Sequence, residues 1–242
     1  MIPRILHQTW ISDDVPPHLR AYRQSWLRHH PSWDHRLWTD ADNFRLISER
    51  YPEFLPYFRS TVPPILRIDL VRLAYLHAFG GVYADLDYEL LKPIDPLLDT
   101  HCAIAAREHG GIGTVMRGRD FIINALLASP PAHPLWIEVM RAMVARHRPR
   151  RLLERHTPYV VRMAIAMLDE HAERRASVDK DVTILAHQLV YPASPTTRVA
   201  AQRGHAGSVL ASYGIHHYDN SWRTPLDRVV NVGRSLVQRL GH

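Results

Sequence analysis

Short apolar runs alternate with segments of helical periodicity along this chain of 242 residues. Runs rich in β-branched and large apolar residues, bounded by turn residues, predict strands. These runs cover 2–11, 35–39, 82–84, 88–91, 182–185 and 213–218. Apolar residues at helical spacing predict helices at 17–30, 41–58, 65–79, 119–128, 134–147, 158–173 and 225–240. Strands that alternate with helices in this way are typical of an α/β domain.

The clearest of these helices is 65–79, which two prolines precede and two glycines follow, the usual order of residues that start and stop a helix. Its sequence is apolar on nearly every face, which predicts a central, buried helix. Asp69 and Arg72 interrupt the apolar surface and, being three residues apart, lie on one face. They could form a structural ion pair, but burying charges without a role is costly, which favours a functional site.

Directly after this helix, the sequence GGVYADLD at 80–87 ends an apolar strand with two carboxylates, Asp85 and Asp87. Carboxylate oxygens suit Mg²⁺ or Mn²⁺, which keep several waters and bridge to substrate phosphates. A departing diphosphate needs such a charge beside it as its bond breaks. Two nearby aspartates also occur in ordinary solvated turns, but the strand and the buried helix before them favour a metal site.

Composition indicates one compact domain, which we place at 1–224, followed by a C-terminal helix at 225–242. The formal net charge is +6, and all but two of the 30 basic residues are arginine. Arginine suits a phosphorylated ligand, an anionic membrane or nucleic acid, although a GC-rich genome would give the same bias. Basic residues are dispersed among acidic ones and form no recognised nucleic-acid motif, so we expect no nucleic-acid partner.

Residues 225–240 place Val229, Val232, Leu236 and Leu240 near one helical stripe, with arginines elsewhere around the helix. This basic amphipathic pattern fits either packing on the domain or contact with an anionic membrane. No apolar run approaches the roughly 18 residues of a membrane span, the first residues lack a signal-peptide core, and a single cysteine allows no internal disulfide. We therefore expect a cytoplasmic protein, peripheral at the inner face of the membrane if this helix binds lipid.

The segment RIDLVRLAYLHAFGGVYADLD at 67–87 resembles the DxD sugar-binding region of glycosyltransferase family 32, which includes fungal α-mannosyltransferases and bacterial capsule and lipopolysaccharide transferases. Three further segments resemble that family in the same order: IPRILHQTW at 2–10, SWLRHHPSWDHRLWTD at 25–40 and GIHHYDNSW at 214–222. The stretch HTPYVV at 156–161 departs from the Thr-Gly-Pro usual in the family. This departure leaves the acceptor open rather than the reaction.

The resemblance implies a GT-A fold, a Rossmann-like α/β sandwich that binds a nucleotide-sugar at the carboxyl ends of its strands. It implies that Asp87 ligates Mn²⁺ or Mg²⁺ directly and that Asp85 binds the donor and assists the metal. His216 and Asn220 would complete the metal site from the other end of the chain. The donor sugar and diphosphate would be contacted by two further residues of the buried helix. The candidate catalytic residues are thus Asp69, Arg72, Asp85 and Asp87.

A second set of residues would hold the donor according to the same resemblance. Trp10 would stack on the nucleotide base, although a tryptophan in an apolar strand is ordinarily a core residue. Ser221 and Trp222 would close over the diphosphate. His7 and Tyr83, in the same matching segments, are further candidates for donor binding.

These observations lead us to expect a retaining, metal-dependent glycosyltransferase. It would move a hexose (mannose, galactose, glucose or N-acetylhexosamine) from a nucleotide-sugar donor to a hydroxyl of a glycan or lipid-linked acceptor. One alternative is a phosphohydrolase whose first aspartate attacks phosphorus. Such motifs usually have Thr or Val two residues after the second aspartate, where this chain has Glu89. Another alternative is a non-catalytic protein that binds a nucleotide-sugar or nucleic acid.

Overall fold

A computed structural model of the protein describes residues 1–60, 65–108, 121–146, 182–192 and 211–219. The strands in these ranges are β1 (Ile5–Thr9), β2 (Asp34–Trp38), β3 (Gly81–Ala84), β4 (Tyr88–Leu90), β5 (Ala103–Glu108), β6 (Phe121–Ser129), β7 (Val182–Leu185) and β8 (Gly214–His216). The helices are α1 (Pro17–His29), α2 (Asp40–Arg50), α3 (Leu55–Ser60), α4 (Ile65–Phe79), α5 (Pro134–Arg146) and the single turn α6 (His187–Val190).

Six of these strands form one mixed sheet in the order β2-β1-β3-β6-β5-β7. Strand β6 runs antiparallel to both of its neighbours, and the other five strands all run in the opposite direction to it. Strands β4 and β8 pair with each other in a separate, antiparallel two-stranded sheet. The predicted α/β class is therefore confirmed, and the mostly parallel sheet agrees with the GT-A architecture that the resemblance implies.

Helix α4 is the central buried helix that the sequence predicts, with nine of its fifteen residues buried. It ends at two glycines because the chain turns tightly there into β3. Both glycines have positive φ angles, 64° at Gly80 and 96° at Gly81. A Cβ atom on Gly81 would lie 2.6 Å from the carbonyl oxygen of Ile5. Only glycine allows this turn, which brings the end of α4 beside the start of β3.

The helix predicted at 119–128 is wrong, because Phe121–Ser129 forms strand β6. This strand lies between β3 and β5, and its residues from Ile122 to Ser129 are all buried. A strand covered on both faces is apolar throughout, so its pattern does not differ from that of a short buried helix. Strand β5 was not predicted, because its alanine-rich sequence AIAARE has little preference for strands.

The helical stretch predicted at 41–58 is divided into α2 and α3, with Pro52 between them. The remaining predicted elements within the described ranges agree with the structure to within a few residues. The predicted helices at 158–173 and 225–240, the stretch 156–161 and the domain boundary at 224 lie outside the described residues. None of the described helices is both long enough and apolar enough to cross a membrane.

Candidate metal and donor site

The two motif aspartates lie where β3 leaves the sheet and the chain turns toward β4. The backbone N–H of Asp85 still bonds to Ala125 of β6, at 2.9 Å, so the first aspartate is fixed at the edge of the sheet. Strand β8 then pairs with β4, with His216 opposite Tyr88. Because His216 is opposite the residue next to Asp87, this pairing carries an imidazole from near the far end of the chain to the motif.

The pairing of β4 with β8 is close because residue 214 is glycine. A Cβ atom at Gly214 would lie 2.4 Å from a ring carbon of Tyr88 and 2.7 Å from the carbonyl oxygen of Glu89. The contact with Glu89 is with the backbone, so it cannot be relieved without moving the two strands apart. The glycine therefore sets the separation of β4 and β8, and with it the position of His216.

Asp85, Asp87 and His216 form the one group of three side chains within the described ranges that could hold a metal ion, with one ligand atom from each lying within 4.8 Å of the others. The Nε2 atom of His216 is 3.3 Å from Oδ1 of Asp87 and 3.9 Å from Oδ2 of Asp85. All three side chains are partly buried. These are the predicted metal ligands, except for Asn220, which lies outside the described residues.

Each carboxylate has one oxygen held by the protein, so that the other turns toward His216. The hydroxyl of Tyr83 donates to Oδ1 of Asp85 at 2.6 Å. The backbone N–H of Asp219 donates to Oδ2 of Asp87 at 2.7 Å. The remaining oxygens, Oδ2 of Asp85 and Oδ1 of Asp87, are the ones that approach the imidazole.

This set of donor atoms fits a divalent cation. Carboxylate oxygens suit Mg²⁺ and Mn²⁺, and three protein ligands leave positions for water or diphosphate oxygens. An imidazole nitrogen is a softer ligand, which suits a transition metal better than Mg²⁺. The site therefore fits Mn²⁺ better than Mg²⁺, and Asp85, Asp87 and His216 would hold the ion.

Asp69 and Arg72 lie beneath Asp85, and the side chain of each is only 3% exposed. The guanidinium of Arg72 is 3.2 Å from Asp69 and 3.4 Å from Asp85. It also donates to the backbone carbonyl oxygen of Asn124 at 2.8 Å, and the side-chain amide of Asn124 donates to Asp69 at 2.8 Å. In this arrangement Asp69 and Arg72 act on the site through Asp85, and their contact with the donor stays a prediction.

Asn124 is the member of this network that the sequence did not indicate. It lies on β6, in the segment that the apolar pattern assigns to a helix, and a single asparagine in an apolar run has no distinguishing signal. Its backbone carbonyl accepts a hydrogen bond from Arg72, and its side-chain amide donates one to Asp69. Without these bonds the two buried charges would be left partly unsatisfied.

The pKa values of the two motif aspartates shift in opposite directions. Burial raises the pKa of Asp85 above its usual range, against the opposing effect of Arg72. Burial also raises the pKa of Asp87, but the charge and hydrogen bond of His216 and the N–H of Asp219 outweigh it, and the pKa falls to about 2. Asp87 is thus ionised at neutral pH without a metal, as a direct ligand needs to be.

Two of the predicted donor-binding residues lie close to this site. Tyr83 is buried, and its hydroxyl is used to orient Asp85, so its effect on a donor would be indirect. Trp10 follows β1 at the carboxyl edge of the sheet and packs, partly buried, against a cluster that contains Leu86. Because Leu86 separates the two motif aspartates, Trp10 is placed beside the motif, and base stacking stays a prediction.

His7, also predicted to bind the donor, has a structural role in this fold, and donor contact stays a prediction. Its side chain is fully buried. Trp38 donates to its Nδ1 atom at 3.1 Å, and its Nε2 atom bonds to the carbonyl oxygen of Gly80 at 2.8 Å. Burial lowers the pKa of His7 to about 4, which keeps the ring neutral. Both nitrogens are occupied, so His7 holds the α4–β3 turn. The predicted residues Ser221 and Trp222 lie outside the described ranges.

Comparison with known proteins agrees with this geometry. Residues 16–104 match the family described as "Glycosyltransferase sugar-binding region containing DXD motif". Mannosyl phosphorylinositol ceramide synthase SUR1 of Saccharomyces cerevisiae is 34% identical over 143 residues, which are 59% of this chain and 35% of that protein. Inositol phosphoceramide mannosyltransferase 3 of Schizosaccharomyces pombe is 31% identical over 162 residues, 67% of this chain and 41% of that protein.

The chain thus spans well under half the length of these two curated relatives. Among solved structures, PaToxG Glycosyltransferase aligns with 74% of this chain and 75% of its own, at 14% identity and a TM-score of 0.48, which is too remote to bear on activity. The region matched by the family contains α1, α4 and both motif aspartates. The resemblance to glycosyltransferase family 32 is confirmed, because residues 16–104 match the sugar-binding region of glycosyltransferases that contains a DXD motif.

Proposed function

We propose that this protein is a metal-dependent glycosyltransferase that transfers a hexose from a nucleoside-diphosphate sugar. The observation that carries the proposal is the cluster of Asp85, Asp87 and His216, which the fold assembles from two distant parts of the chain. The family that residues 16–104 match supports the sugar donor. The names of the two fungal relatives support mannose as the sugar and a lipid-linked inositol phosphate as the acceptor.

In this proposal each residue of the site has a separate task. Asp87 and His216 would hold a divalent ion, and Asp85 would contribute its second oxygen to the ion or to the donor. The ion would supply positive charge that stabilises the departing diphosphate. Tyr83 and Arg72 keep Asp85 oriented from below. Trp10 offers an aromatic surface for the base at the same edge of the sheet.

Retention of the anomeric configuration and the cytoplasmic location stay predictions of the sequence. The same is true of peripheral membrane contact through 225–240. The lipid acceptor would suit such a contact, because its head group lies at a membrane surface.

The test is transfer by the purified chain, measured by mass spectrometry with GDP- and UDP-hexoses, an inositol-phosphate lipid acceptor and Mn²⁺. We expect Asp87→Asn to reduce transfer by roughly 100-fold or more, because charge that develops on the departing diphosphate loses its partner. EDTA should do the same to the wild type, and added Mn²⁺ should restore only the wild type. The exposed Asp99→Asn serves as the matched control and should be as active as wild type.

Three results would contradict the proposal. Full transfer in EDTA, or by Asp87→Asn, would remove the metal mechanism. Release of inorganic phosphate without transfer of a sugar would favour the phosphohydrolase alternative instead.

A further inference from the structure

Helix α1 holds strand β4 through two hydrogen bonds to its backbone. The indole N–H of Trp26 donates to the carbonyl oxygen of Tyr88 at 2.9 Å. The hydroxyl oxygen of Ser25 accepts from the backbone N–H of Leu90 at 2.8 Å. Both bonds are buried, so the strand that follows Asp87 cannot shift along α1 without breaking them.

The preceding turns of α1 contact the segment that follows β8. The ring of Tyr22 stacks on the ring of His217, with centroids 4.1 Å apart and planes 17° from parallel. The Nε2 atom of His217 lies 2.8 Å from a carboxylate oxygen of Glu89 on β4. One turn earlier, Nε2 of His18 is 3.5 Å from Asp219. The imidazole of His217 is therefore fixed on its face by α1 and at its edge by β4.

The segment held in this way surrounds Asp87. The backbone N–H of His217 donates to the carbonyl oxygen of Asp87 at 2.9 Å. The backbone N–H of Asp219 donates to its carboxylate at 2.7 Å, and His216 approaches the other carboxylate oxygen at 3.3 Å. Three groups of the short segment 216–219 therefore set the environment of one aspartate.

We propose that Glu89 and Tyr22 are positioning residues that act through His217 to set the affinity of the Asp85–Asp87–His216 site for a divalent cation. The inference rests on the metal site of the proposed function. Neither residue provides one of the three clustered ligand atoms. Fixing the ring of His217 fixes the backbone on both sides of it, which places His216 and the N–H of Asp219 before the ion binds. Without that contact, ordering the segment would cost conformational entropy at the moment of binding.

The alternative is that the pair of Glu89 and His217 has no role in the metal site. A partly exposed pair of this kind contributes little to stability, and its loss would then leave ion binding unchanged. The chain offers a matched control, since Asp95 makes the same type of contact with His30, at 3.2 Å, outside the site.

The experiment is titration of Mn²⁺ into the purified full chain, followed by electron paramagnetic resonance of the unbound ion, with circular dichroism as a check of folding. Glu89→Leu removes the acceptor and should weaken Mn²⁺ binding roughly 10-fold, the scale typical for partners of metal ligands. Tyr22→Leu removes the stacked ring and should weaken it in the same direction. Glu89→Gln keeps an acceptor oxygen and should recover most of the affinity, and Asp95→Asn should bind as wild type does.

In transfer assays, Glu89→Leu should raise the Mn²⁺ concentration needed for half-maximal rate and leave kcat at saturating Mn²⁺ nearly unchanged. Wild-type Mn²⁺ affinity in a folded Glu89→Leu would overturn this inference and leave the proposed function standing. If the wild type bound no Mn²⁺ with or without nucleoside diphosphate, both this inference and the proposed metal-dependent function would be overturned.

Discussion

The two aspartates of the site are held by regions of very different character. Asp85 rests on α4 and β6, where Arg72, Asp69 and Asn124 form a closed network that is almost completely buried. Asp87 is held by residues 216–219, which arrive from more than 120 positions away and remain partly exposed. The first region is part of the buried interior of the domain, whereas the second lies at its partly exposed edge.

A metal site requires ligands in fixed positions and a suitable charge around them, and the two regions each meet one of these requirements. The buried region fixes the position of the Asp85 carboxylate through contacts that also stabilise the fold. The outer region sets the charge and the ligands around the other carboxylate without adding much buried surface. Substitutions in the first region should therefore appear mainly as lost stability, and those in the second mainly as lost affinity for the ion.

The largest expected effect is that of Arg72→Met. Its guanidinium is the cation that balances Asp69 and Asp85, and the buried carboxylates would be left without it. Breaking a buried ion pair from one side costs about 3–5 kcal/mol. We expect the free energy of unfolding, measured by urea denaturation, to fall by that amount.

The control for Arg72→Met is Arg4→Met. Arg4 pairs with Asp95 at 3.0 Å, but the two side chains are 42% and 41% exposed. Loss of such an exposed pair costs at most about 1 kcal/mol. Equal losses of unfolding free energy in the two variants would mean that the network beneath Asp85 contributes no more to stability than an exposed ion pair does.

Lowering the pH should have a smaller effect on the free energy of unfolding, and the contributions of the two aspartates should change in opposite directions. The folded-state pKa of Asp87 is about 2, below the ordinary value of 3.8. Its stabilising contribution, about 2 kcal/mol, is present above pH 4 and is lost as the pH falls through 2. Urea unfolding in EDTA should therefore show that the difference between wild type and Asp87→Asn shrinks across this range.

For Asp85 the same measurement should give the opposite slope. Burial raises its folded-state pKa, so the folded protein holds this proton more tightly than the unfolded chain does. Its contribution to stability therefore becomes less favourable as the pH rises through that pKa. Parallel slopes for Asp85→Asn and Asp87→Asn would show that the two carboxylates share one environment.

The sequence predicted the buried region better than the outer one, and the reason lies in distance along the chain. The spacing of Asp69 and Arg72 on one helix face, the two glycines after α4 and the apolar strand before the motif are all local patterns. They are enough to predict a metal site at the end of β3. The pairing of β4 with β8 has no local signature, and only the family resemblance pointed to His216.

Three features of the structure could not be predicted from the sequence, each for its own physical reason. The apolar pattern predicts a helix where strand β6 lies, because a strand covered on both faces has no polar–apolar alternation, and it therefore does not indicate Asn124. The motif match predicts donor binding for His7 and gives no sign that both of its nitrogens hold a turn in the fold. Contacts such as that between Glu89 and His217 depend on register across a sheet, which spacing along one chain does not reveal.

The smallest expected effect is that of Tyr83→Phe, which loosens the buried region without removing a charge. Its hydroxyl donates to Asp85, and its ring lies 4.7 Å from the guanidinium of Arg72. Phenylalanine keeps the ring, so only the hydrogen bond is lost, at a cost of roughly 1–2 kcal/mol. Tyr51→Phe, which removes a hydroxyl bonded to His77 at 2.8 Å, should lower stability by a similar amount. Only Tyr83→Phe should also weaken Mn²⁺ binding, because Asp85 then loses one of the two groups that turn its second oxygen toward the ion. Equal Mn²⁺ affinities in the two variants would show that Arg72 alone orients Asp85, and that the buried region needs no hydroxyl to hold the metal site in place.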